Sequence, residues 1–213
     1  MEFSRRGLLG AVACSSASLA LPRSAALLAS RVPTGSPPGA PSPSGAQPSL
    51  LSGALAALDR HASRVAQRDR IGVVDFAAPS GFPRFQILDL ANGSIASTHL
   101  VAHGHGSDPD NSGWVERFSN LPGSNASSRG SFLTAETYVG KHGLSRRLIG
   151  LDPENDLADA RGIVVHAADY VDAHRAREQG HVGRSQGCFA VSPADIAEVL
   201  DRLGPGRLLF AWK

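Results

Sequence analysis

The spacing of apolar residues changes along the chain. Leu51, Ala54, Leu55, Leu58, Ala62 and Val65 recur at three- and four-residue steps, with Asp59, Arg60, Ser63, Arg64 and Gln67 between them. That period predicts an amphipathic helix over residues 50–67, with Ser49 a candidate N-cap. Further on the apolar runs shorten to strand length. Residues 71–76 form one such run, and residues 84–90 and 94–103 flank Asn92-Gly93, a dipeptide suited to a type I′ hairpin turn. Residues 130–139, 147–151, 162–166, 188–191 and 207–212 are further strand candidates. Ser192-Pro193-Ala194-Asp195 predicts a second helix. Ser caps it, Pro suits its first turn and Asp its positive end, while Ile196, Ala197, Val199, Leu200 and Leu203 form a buried face that Gly204 stops. Many short strands and two short helices predict a mainly β domain.

Residues 1–49 follow neither period. A head carrying Arg5 and Arg6 precedes a weakly apolar stretch from Gly7 to Leu21, and Ser24-Ala25-Ala26 offers a cleavage site. That is the anatomy of an export signal over residues 1–26. Ser4-Arg5-Arg6-x-Leu8-Leu9 resembles a bacterial twin-arginine signal, a reading preferred to an ordinary secretory signal, with destination in the periplasm or cell envelope. The run is too short and too interrupted for a spanning helix, which needs about 20 apolar residues. Lipidation at Cys14 is the minor alternative. Residues 27–49 hold six prolines (Pro33, Pro37, Pro38, Pro41, Pro43, Pro48), which predicts an extended linker before a domain over residues 50–213.

Charge enters here because the signal carries it. The 213 residues hold 21 Lys and Arg against 19 Asp and Glu. Cleavage after Ala26 removes Arg5, Arg6, Arg23 and Glu2, leaving 18 of each sign. A neutral domain gives no electrostatic footprint for nucleic acid. Cleavage also removes Cys14, so Cys188 becomes the only thiol of an exported chain. A lone Cys in an oxidising compartment either dimerises or stays free for chemistry.

The candidate chemistry gathers in Gly183-Arg184-Ser185-Gln186-Gly187-Cys188-Phe189. A thiol attacks as thiolate, and a free Cys is mostly protonated at neutral pH, so it needs a base or a positive field. Gly187 leaves the backbone open for amides to face an oxyanion, and Arg184 would raise the local potential. The competing reading is a small inert Cys in a strand. His166, closing the run 162–166 and lying 22 residues before Cys188, is the candidate base; the alternative is a satisfied core histidine. His99, His103 and His105 share parity and would share one strand face, which permits a metal, yet no HEXXH or paired-Cys spacing supports one. No metal or other cofactor is therefore expected. His61, His142 and His174 read as solvated. His181 lies near the thiol motif and is a candidate for lining its cleft.

The order His…Ser-x-Gly-Cys at this spacing resembles the L,D-transpeptidase (YkuD-like) catalytic domain, closest to the murein L,D-transpeptidase branch. The resemblance runs from about residue 71 to 212. It is densest over Phe118-Ser-Asn120, Ser127-Ser-Arg-Gly-Ser-Phe132, Tyr138-Val-Gly-Lys-His-Gly143, Arg161-Gly-Ile-Val-Val-His166 and residues 183–191. It implies a β-sandwich or barrel with a few short helices, and an exported enzyme acting on peptidoglycan peptide stems. By that resemblance Cys188 attacks a stem carbonyl, His166 is its base, amides at Gly187 and Cys188 form the oxyanion hole, and Ser185 braces the loop. The chain departs from the family pattern twice: Ala167 follows His166 where many members have Gly, and Gln186 stands where many have a second His. Gln186, His181 or Tyr138 would then polarise the substrate, with Arg184 beside them. A sortase-like thiol transpeptidase with Arg207, or a non-catalytic wall-binding module, are the alternatives. A cross-link and a trimmed stem are both compatible with this sequence.

Overall fold

The computed structural model describes residues 48–213. The export signal, the Cys14 alternative and nearly all of the proline-rich segment lie outside the described residues. Among the described residues, no helix is long and apolar enough to cross a membrane.

The first helix, α1 (Pro48–Arg60), starts two residues before the expected domain boundary. Proline fits a first helical position because its missing N–H would have no intrahelical partner there. Ser49 is therefore inside the helix rather than capping it. The helix also stops earlier than residue 67. Residues 61–64 turn instead, with Val65 N donating to His61 O at 3.0 Å, and the His61 ring reaches Asp152 at 2.9 Å. The buried face is Leu50, Ala54, Ala57 and Leu58, continued by Val65, while Leu55 is 40% exposed and faces out with Ala62.

Eight strands form one mixed sheet, so the mainly β expectation holds. They are β1 (Arg70–Asp75), β2 (Phe85–Asp89), β3 (Ser94–His99), β4 (Gly130–Gly140), β5 (Gly143–Gly150), β6 (Val164–Ala167), β7 (Phe189–Val191) and β8 (Leu208–Trp212). Their order across the sheet is β3-β2-β1-β8-β4-β5-β6-β7. Every pairing is antiparallel except β1 with β8 and β6 with β7. Alternation along the strands fills both faces. Ile71, Val73, Leu208 and Phe210 pack under α1, whereas Val74, Leu209 and Ala211 join Phe76, Phe85, Phe132, Val165 and Phe189 in the larger core. That second core is covered by α3 (Ile196–Arg202) through Val199 and Leu200.

Three local expectations are corrected. The β2–β3 connection is not a type I′ turn, which needs positive φ at both central residues. Only Gly93 has positive φ (71°), and the loop spans residues 90–93 with Gly93 N donating to Asp89 O at 2.9 Å. Strand β3 ends at His99, not at residue 103. An unforeseen helix, α2 (Ala173–Gln179), lies in the crossover between the parallel strands β6 and β7. Asp172 caps it by accepting from Arg175 N, and Gly180 ends it in the left-handed region. Its sequence Ala-His-Arg-Ala-Arg-Glu-Gln buries only Ala176, so no apolar period announced it.

Candidate active site

The β6–β7 crossover places the two candidate side chains, Cys188 and His166. In the parallel register His166 lies beside Ala190 and Val165 beside Phe189. Cys188 immediately precedes the paired stretch, one diagonal step from His166. Val165, Phe189 and Val191 enter the core, while Cys188 and His166 both line a cleft of about 700 Å³. Tyr138, Arg184, Ser185 and Gln186 line the same cleft.

The loop before Cys188 is held at three points. Ser185 Oγ donates to Cys188 O at 2.7 Å and accepts from Gly187 N at 3.1 Å. Ser185 N donates to His103 O at 2.8 Å, and His105 N donates back to Ser185 O at 2.9 Å. Arg184 donates to the carbonyls of Asp108 and Pro109. Ser185 thus braces the loop. The Gly187 amide, however, is occupied by that hydroxyl and is not open to an oxyanion, which corrects the expected two-amide hole. Gly187 sits at φ 113°, and a β-carbon there would fall 2.7 Å from Ala126 O. Only glycine fits without strain.

His166 is 2% exposed, and its Nδ1 donates to the Ala167 carbonyl at 2.8 Å. That bond fixes the neutral tautomer and leaves Nε2 as a bare acceptor. Burial holds the His166 pKa below the ordinary imidazole value, helped by nearby His142 and Lys141 and opposed by the Ala167 carbonyl. Burial pushes the Cys188 thiol up, against the lowering influence of the Val164 amide, Lys141 and Arg161. Cys188 Sγ lies 3.6 Å from Gly162 O. A raised thiol and a lowered imidazole lining one cleft rest as two neutral groups, not as a standing ion pair.

Several cleft residues carried no role in the sequence. Arg161 Nη1 donates to Ser119 O at 2.8 Å and Ser128 Oγ at 2.6 Å, and its Nη2 reaches Ala126 O. It ties the segment around Ser127-Ser128 to the thiol side of the cleft, which explains the serines of that motif as scaffold. Tyr170 is half-buried, and burial with the charge of a Cys188 thiolate pushes its pKa up to about 12. It stays a neutral donor. Lys141 and His142 reach the cleft from the β4–β5 turn. The cleft lining contains no Asp or Glu.

Other expectations do not meet at the site. His181 is not among the cleft residues; its Nδ1 bonds the neighbouring Val182 carbonyl at 3.1 Å. Arg207 pairs with Asp69 through two contacts of 2.9 and 2.8 Å and is likewise absent from the cleft, so it cannot play a sortase-like part there. The shared parity of the three histidines has no consequence once β3 ends at His99. His99 contacts Asp195 at 3.4 Å, His105 borders the thiol loop, and His103 is sealed in a buried chain. In that chain Arg84 Nη2 donates to His103 Nδ1 at 2.8 Å, and His103 Nε2 donates to Asp108 at 3.1 Å. Among the described residues no group of three or more His, Cys, Asp or Glu could hold a metal ion.

A family model of the L,D-transpeptidase catalytic domain matches residues 43–212. The chain belongs to the L,D-transpeptidase catalytic domain family. Among solved structures it is similar to an L,D-transpeptidase from Mycobacterium smegmatis, at 16% identity over 68% of this chain and 59% of that one (TM-score 0.42). L,D-transpeptidase 1 of Mycobacterium tuberculosis is similar at 17% identity over 67% and 60% (TM-score 0.38). The enzyme of Xylanimonas cellulosilytica is similar at 16% over 74% and 68% (TM-score 0.41). The chain thus spans 59% of the M. smegmatis chain it matches. No curated protein sequence matches it.

Proposed function

We propose that this L,D-transpeptidase domain is an exported cysteine acyl-transferase acting on peptidoglycan peptide stems, with Cys188 as nucleophile and His166 as base. The observation that carries the reading is the convergence of the one thiol among the described residues and a tautomer-fixed imidazole in one cleft of a chain belonging to this family. His166 Nε2 takes the thiol proton as Sγ bonds to the carbonyl carbon of the donor stem's diamino-acid residue. The tetrahedral oxyanion is met by the Tyr170 hydroxyl and the Cys188 amide, since the Gly187 amide is occupied. Collapse breaks the bond to the terminal D-alanine, whose amine leaves with the proton from His166, giving a thioester on Cys188. An amine of a second stem, or water, then attacks that thioester and regenerates the thiol.

A cleft without carboxylates and lined by Lys141, Arg161 and Arg184 suits a substrate rich in carboxylates. Export by the twin-arginine route to the periplasm or cell envelope belongs to the same proposal and is supported by the Arg5-Arg6 head and the small residues before Ala26. The test is incubation of the mature protein with purified tetrapeptide stems. The proposal predicts D-alanine release and formation of a dimer or a tripeptide, both lost in Cys188→Ala. Release that persists in that variant overturns the thiol mechanism.

A further inference from the structure

The β4–β5 hairpin ends in a two-residue turn, Lys141-His142, closed by the Gly140–Gly143 pair. The strand residues beside this turn face solvent: Val139 is 81% exposed and Leu144 is 49% exposed. No local core holds the turn. Yet the His142 ring lies over the His166 ring, with centroids 4.2 Å apart and planes inclined by 23°. A solvent-facing turn therefore delivers an imidazole face to face with the base. We infer that His142 is a positioning residue for His166: it fixes the plane of the base and shields that plane from water, supplying from a hairpin tip a second histidine that the Gln186 position lacks.

The physical argument has two parts. Among the described residues His166 makes one side-chain hydrogen bond, from Nδ1 to Ala167 O, so hydrogen bonding holds one edge of the ring and packing must hold its plane. A ring held at one edge can still tilt, and a stacked ring on its face removes that freedom. The ring over its face also keeps water from His166, which disfavours the imidazolium and keeps the base neutral and ready to take the thiol proton. Lys141 and His142 from the turn act on His166 directly, and the other titratable groups lining its cleft are Tyr138 from β4, Tyr170 beyond β6, Cys188 and Arg184 from the segment leading into β7, Arg161 and His105. Among these His142 is the one stacked on the base.

This inference rests on the reading of His166 as base, so the experiment separates the two. D-alanine release from tetrapeptide stems is measured across pH for the wild type, His166→Ala, His142→Ala and His142→Phe. His142→Ala is expected to lower kcat about tenfold, a part of the usual general-base contribution, with KM within about twofold. Its acidic limb moves toward higher pH, because without the covering ring water reaches His166 and favours its protonated form. His142→Phe keeps a ring face and is expected to recover most of the lost kcat. If His166→Ala is inactive while both His142 variants match the wild type in kcat and pH profile, the inference is overturned and the base assignment stands. If both His142 variants lose activity equally with an unmoved profile, His142 is only structural and the inference is again overturned. If His166→Ala remains active, the base assignment itself fails and the inference fails with it.

Discussion

Gly187→Ala is expected to damage both stability and thiol chemistry, for a reason read from two numbers. Gly187 has φ 113°, a conformation that costs an L side chain about 1–3 kcal/mol. Its new β-carbon would also sit 2.7 Å from Ala126 O and 3.0 Å from Ile163 Cδ1. The Ala126 carbonyl cannot retreat freely, because Arg161 holds it. Overpacking of this sort adds roughly 1–3 kcal/mol. The combined loss is roughly 2–6 kcal/mol, a large part of the 5–15 kcal/mol that keeps a domain folded. The loop that carries the Ser185–Cys188 and Ser185–Gly187 bonds must shift to relieve it, so the thiol moves as well. Urea unfolding at constant m measures the first effect, and the rate of Cys188 alkylation by iodoacetamide measures the second. A stability change under about 1 kcal/mol together with an unchanged alkylation profile would refute the argument that this glycine is set by conformation and contact.

Ser185→Ala removes the donor to Cys188 O and orphans the Gly187 amide; a loss of about 1–3 kcal/mol by urea unfolding is expected, with slower D-alanine release. The raised thiol and lowered imidazole predict little standing thiolate, so absorbance near 240 nm should stay low at pH 7 and climb only in the alkaline range; a full thiolate signal at pH 6 contradicts the neutral-pair account. For His103, burial and the Arg84 charge push the pKa down to about 4. The unfolded chain takes this proton first, so stability is full above about pH 6.5 and falls until about pH 4, by about 3 kcal/mol. His103→Gln should flatten that slope in urea titrations, and an equally steep slope in the variant would locate the acid sensitivity elsewhere. If Tyr170 meets the oxyanion as proposed, Tyr170→Phe should lower kcat about 100-fold at unchanged KM; wild-type kcat in that variant assigns the oxyanion to other donors.

The strands were legible in the sequence, and so was the candidate pair that shares the cleft, because both rest on local signals. Each strand is a short apolar run, and Cys188 and His166 stand at the ends of two of them. What escaped depends on pairing between distant segments. His142 reads as a solvated loop histidine, and it meets His166 only because β5 pairs with both β4 and β6, bringing residues 24 positions apart ring to ring. Arg161 is a charge at a strand approach until its four partners at Ser119, Ser124, Ala126 and Ser128 are seen. His181 failed in the opposite way: it is near Cys188 in sequence, but the chain between them turns back along His103 and carries it away from the cleft. Helix α2 was hidden by its lack of an apolar face, and its caps, Asp172 and Gly180, are recognised only once the helix between them is seen.

The central claim is a covalent acyl group on one sulfur. Mature protein mixed briefly with a tetrapeptide stem and quenched in acid should show an intact-mass increase equal to the stem minus its terminal D-alanine. Peptide mapping should place that increase on Cys188, and Cys188→Ala should show none. An adduct on another residue, or D-alanine release by Cys188→Ala at the wild-type rate, would contradict the account.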